Sequence, residues 1–121
     1  MVIGVMQIEL DIPGAECLKD KRRVVRSVKD ACHRHHMVSV GEVGALDVWN
    51  RAVLGVSMVS NSGMVAAQML DRVLERIRSG YDCEVISTSR EIVRMEDLQS
   101  GDEIDVGGIS EEMLAYAEDA L

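Results

Sequence analysis

A chain of 121 residues with 47% hydrophobic composition and a formal net charge of −8 has room for one domain with its own core and a short appendage. No apolar run approaches the roughly 20 residues of a membrane-spanning helix, and residues 1–12 alternate, lack a basic segment and carry Glu9 and Asp11, unlike a signal peptide. Three cysteines, Cys17, Cys32 and Cys83, follow no disulfide-framework spacing, so a reduced, cytoplasmic protein is expected.

Residues 2–12 read as a strand. Val2, Gly4, Met6, Ile8, Leu10 and Ile12 fall on one face, and Gln7, Glu9 and Asp11 on the other. Pro13-Gly14 ends it. Over residues 16–36 the period changes: Leu18, Val25, Val28, Cys32 and His35, flanked by Val24 and Ala31, recur at helical steps. The opposite face of this helix is basic. Residues 37–45 return to extended character, with Val38, Val40 and Val43 as buried candidates and Gly41 as the expected site of a bulge. Residues 51–60 are again strand-like, with Ala52, Leu54, Val56 and Met58 on one face, so the two runs form a hairpin. Ser60-Asn61-Ser62-Gly63 supplies cap chemistry for a second helix through Ser79, with Ala66, Met69, Leu70, Val73, Leu74 and Ile77 as its core stripe. Gly80 follows as the helix-terminating residue, and a last strand is expected around Cys83 to Val93.

The order βαββαβ, with right-handed crossovers, specifies an α+β sandwich: a four-stranded antiparallel sheet with both helices on one face. Its core must be built without Phe, and Trp49, Tyr81 and Tyr116 are the only aromatics, so Val, Ile, Leu and eight Met must fill it. The other sheet face stays open. Ile3 and Val5 on the first strand, and Val53 and Val59 on the third, fall there and make a candidate homodimer face, the equal alternative being that the acidic tail folds over it.

Charge divides the chain into two parts. Residues 1–94 hold all 13 Lys and Arg against 12 acids, whereas residues 95–121 hold nine acids and no base. The expected organisation is therefore a domain over 1–94 and an acidic tail over 95–121, with a short helix beginning near Ser110. Seven bases lie on the first helix, and Lys19, Lys21, Arg22, Arg23, Arg26 and Lys29 are the candidate contacts for RNA, since a cationic stripe can track a phosphate backbone. The competing reading is a solvated helix face balanced by the tail. Base stacking on the sheet is disfavoured, because its central strands carry no aromatic and the first presents Glu9 and Asp11.

Cys32, His33, His35 and His36 raise the question of a metal, but they lack a matching second pair of ligands, and the helix dipole favours histidines in a last turn. No metal or cofactor is expected. No phosphate loop, nucleophile elbow or zinc-protease pair is present, so no catalytic residue is assigned.

Leu18-Lys19-Asp20-Lys21-Arg22, then Val38-Ser39-Val40-Gly41-Glu42-Val43, then Asp47-Val48-Trp49-Asn50-Arg51-Ala52-Val53-Leu54-Gly55 together resemble the YlxP-like family of small bacterial proteins. The resemblance implies a ferredoxin-like fold and a bacterial cytosolic protein without known enzyme activity. Members are often encoded beside transcription-elongation, translation-initiation and ribosome-maturation factors, which implies a role near RNA or the ribosome. Asn50 departs from the Gln usual there, and the acidic extension lies beyond the family domain. Within the motif, Trp49 is expected to cap the core while Asp47 and Arg51 pair across the turn; the alternative is that the three form a recognition site.

Overall fold

A computed structural model describes residues 1–96, and the acidic tail with its expected short helix lies outside them apart from Met95 and Glu96. The elements run β1 (Val2–Asp11), α1 (Leu18–His35), β2 (Ser39–Gly44), β3 (Arg51–Ser60), α2 (Gly63–Arg78) and β4 (Glu84–Arg94). The sheet has the order β2-β3-β1-β4 and every pairing is antiparallel. This is the ferredoxin-like arrangement. α1 packs over β2 and β3, and α2 over β1, β3 and β4.

The alternation in β1 decides its face. Val2, Gly4, Met6, Ile8 and Leu10 point to the helices and are buried, and Ile12 continues them just past the strand. Ala52, Leu54, Val56 and Met58 of β3 join them in register. From the helices come Val25, Val28, Ala31 and Cys32, then Ala66, Leu70, Val73, Leu74 and Ile77. Fully burying a branched aliphatic side chain contributes about 1.5–3 kcal/mol, so these residues carry the fold. Methionine does less than composition suggests. Met6 and Met58 are buried and Met69 is partly so, but Met1, Met37, Met64 and Met95 face solvent.

Gly4 sits where α2 comes nearest the sheet: a Cβ there would lie 3.3 Å from Leu70 Cδ1, 3.4 Å from Met58 Sδ and 3.5 Å from Ala66 Cβ. α2 starts as its sequence specifies, with Ser62 Oγ accepting from Val65 N at 3.3 Å. α1 has no such cap from Cys17; instead Asp20 in its first turn accepts from Glu16 N at 3.0 Å.

Two expectations about β2 need correction. The register shift falls between Glu42 and Gly44, so the bulge is at Val43 and not Gly41. Val43 consequently leaves the core and is exposed, resting its Cγ1 3.0 Å from where a Cβ of Gly55 would stand. His35 is also outside the buried stripe of α1. The buried stripe instead includes a lysine near the start of the helix.

Candidate functional site

Lys21 is fully buried. The stripe it occupies is visible in the spacing, since Lys21, Val25, Val28 and Cys32 step by four, three and four residues. Its Nζ donates to Ala45 O at 2.9 Å and Leu46 O at 3.1 Å, and lies 3.3 Å from Glu42 Oε1. This lysine therefore cannot contact RNA, and the sequence assignment is wrong at this residue. It fastens the β2–β3 loop, where Ala45 adopts a φ of 53° that costs a non-glycine residue about 1–2 kcal/mol. Val48 N closes the turn on Ala45 O at 3.0 Å, and Ile12 N holds Asn50 O at 2.8 Å.

On this anchored loop the motif residues do not behave as expected. Trp49 is 54% exposed and caps nothing, and Leu46 and Val48 are exposed beside it. Arg51 pairs with Glu9 across the sheet at 2.9 Å, whereas Asp47 has no ion pair among the described residues. The trio is thus not one cluster: one member has turned to the sheet.

The remaining candidate RNA contacts do come together. Lys19, Arg22, Arg23 and Arg26 are exposed and Lys29 is half-buried, all outside the core stripe. The ten helical steps from Lys19 to Lys29 make a cationic strip about 15 Å long. None of the five has an ion-pair partner among the described residues. Arg22, Arg26 and Lys29 line a shallow cleft of about 280 Å³, with Val25, Asp30 and Glu42 completing it.

The second helix extends this field, which single-element reading of α1 missed. Arg76 Nε donates to His36 Nε2 at 2.9 Å, so the imidazole is neutral with its proton on Nδ1. Burial holds the His36 pKa below its ordinary value, and the positive charges of Arg76, His35 and Arg72 lower it further. Counted by element, the helices carry ten bases against four acids, while the rest of residues 1–94 carries three bases against eight acids. The helices thus carry most of the positive charge of residues 1–94.

The open sheet face is different in kind. Ile3, Val5 and Val53 are half-buried on it and Val59 is exposed, as the alternation required. Glu9 on this face is held by Arg51 and by Ser87 Oγ at 3.2 Å. Gly55, Val5, Gln7, Val43, Ser57 and Ser89 line its shallow central hollow of about 520 Å³.

The cysteine–histidine group at the end of α1 is dispersed. Cys32 is buried, and burial raises its thiol pKa, with Arg76 opposing. His33 Nε2 accepts from Val40 N at 3.2 Å, and His36 Nε2 is taken by Arg76. Cys83 is raised by burial and by Asp82. Among the described residues no three Cys, His or acidic side chains gather as metal ligands, and no helix is long and apolar enough to cross a membrane.

Residues 3–90 match the model of DUF503, a family described as proteins of unknown function. The chain belongs to this family. Its relative in Bacillus subtilis (strain 168), uncharacterized protein YlxP, is 33% identical over 90 residues, which is 74% of this chain and 98% of the relative. The family match thus spans β1 to most of β4 and stops short of the tail. Among solved structures, a de novo designed protein with a ferredoxin fold superposes with a TM-score of 0.48 at 13% identity, covering 87% of this chain and 97% of the design. The fold assignment rests on the strand order and pairing themselves.

Proposed function

We propose that this DUF503 member is a non-enzymatic accessory protein of bacterial translation or ribosome biogenesis that contacts RNA through its helical layer. The observation that carries the reading is the charge of the helices: with the buried Lys21 set aside they hold nine bases against four acids, and Lys19, Arg22, Arg23, Arg26 and Lys29 are unpaired among the described residues. A surface of that sign concentrates polyanions, and each phosphate it neutralises releases a counterion. The sheet face is unsuited to the task, since Glu9, Asp11 and Glu91 lie on it without an aromatic. The YlxP-like resemblance and its gene neighbourhoods supply the setting of ribosome and translation factors.

The test is binding of the full chain to ribosomal and transfer RNA across a salt series. Reversing Arg22, Arg23 and Arg26 together to Glu removes three contacts, so the slope of log K against log salt falls by about 2–3. Equal binding by the reversed variant, or no binding at about 20 mM salt where polyanion contacts are strongest, refutes the reading.

A further inference from the structure

The register arranges the open sheet face in bands. At one end Val59, Ile3 and Val93 stand side by side across β3, β1 and β4, with Ile3 the partner of both valines. Met37, 89% exposed, lies beside Ile3 and Val59 at this end, and Met95 follows β4 there, its N bonded to Met1 O at 2.8 Å. The middle is mixed, with Gly41 opposite Gly55, Val5 between Ser57 and Glu91, and Val53 opposite Glu9. At the far end Arg51, Asp11 and Glu84 form a charged row. Val59 is 68% exposed, a large share for a valine on a strand with two neighbours.

We infer that a second copy of this chain covers the open face. A two-fold axis parallel to the strands, passing between β1 and β3, exchanges those two strands. It sets Val59 against Ile3 of the other copy at the apolar end, and Arg51 against Asp11 of the other copy at the charged end. One operation therefore matches apolar to apolar and cation to anion, as an isologous interface requires. Sheets pack this way with strands nearly aligned. The area suffices: strands of 10, 10, 11 and 6 residues present about 600 Å² per copy. The total of about 1,200 Å² reaches the lower bound for specific, stable interfaces. The acidic tail is the poorer occupant, because its nine acids come with no base to a side where acids outnumber Arg51, whereas a second copy brings its own Arg51 and its own apolar band. Face-to-face pairing leaves both helical layers outward, so the dimer would present two cationic surfaces.

Sedimentation velocity on the full chain, at protein concentrations up to about 200 µM, tests the inference. The expected species has twice the 13.3 kDa mass of the chain. It should persist in high salt, because apolar contacts dominate it. Val59→Glu should weaken dimerisation at least about tenfold, by burying a charge in the apolar band. Met64→Glu, on exposed α2, should leave the dimer intact. If Val59→Glu fails to fold by circular dichroism, Val93→Glu serves instead. A monomer at every concentration overturns the inference and assigns the face to the tail or another protein. So does a dimer indifferent to the open-face substitution, or one lost equally in Met64→Glu.

Discussion

Replacing Lys21 with Met keeps the length of the buried stem and removes the ammonium. Three acceptors then lose their donor: Ala45 O, Leu46 O and the Glu42 carboxylate, whose side chain is only 18% exposed. Deleting one partner of a buried ion pair costs about 3–5 kcal/mol, because the other charge is left without compensation. That is a large part of the roughly 5–15 kcal/mol by which a domain is stable. At a urea m-value of about 1–1.5 kcal/mol/M, the midpoint of Lys21→Met should fall by roughly 2–5 M. Adding Glu42→Met removes the stranded carboxylate and should recover part of the loss, the remainder coming from the two loop carbonyls left without a donor. Trp49, the sole tryptophan, stands on the loop that Lys21 fastens, so its fluorescence anisotropy should drop in the folded single variant. A loss below about 1 kcal/mol in the single variant, or a double variant no more stable than the single, would show that the buried charge is not what holds this loop.

Two further perturbations test the packing of the helices. His36 carries a folded-state pKa below that of the unfolded chain, so its contribution is complete above about pH 6.5 and is lost as the pH falls through the folded value; His36→Gln, which can still accept from Arg76 without titrating, should flatten the acid limb of a Tm-versus-pH curve, and an unchanged slope would remove His36 from the account. Gly4→Val should cost about 1–3 kcal/mol through overpacking against Leu70, Met58 and Ala66, with Gly4→Ala much milder; equal urea midpoints for the valine variant and the native chain would contradict the close approach of α2.

The strands and helices could be read from the chain because their signals are local. Alternation in β1, the two helical stripes and the Ser62 cap each depend on residues a few positions apart. The features that were misread depend on partners far along the chain. Lys21 resembled its exposed neighbours in type, and only its position on the stripe gave warning; its acceptors lie 24 and 25 residues away. Arg51 had Asp47 nearby in sequence but Glu9 nearer in space, because pairing of β1 with β3 brings residues 42 positions apart together. A lone Trp suggests a cap on the core, yet Trp49 stands exposed on the loop that Lys21 fastens. Gly41 is the residue type that tolerates a bulge, but the pairing with β3 decides where the bulge falls. Most of the cationic strip was legible from composition, but the contribution of Arg72 and Arg76 needed the two helices side by side.

The two irregularities in the sheet also limit how it can grow. β1 and β3, in the middle, pair through ten residues without a break. β2 and β4, at the borders, each carry an extra residue, at Val43 and Ile86. A border strand that bends out of plane is a poor template for a strand from another molecule, so end-to-end addition into filaments is discouraged. Self-association is thereby steered away from the open-ended direction and towards closed pairs.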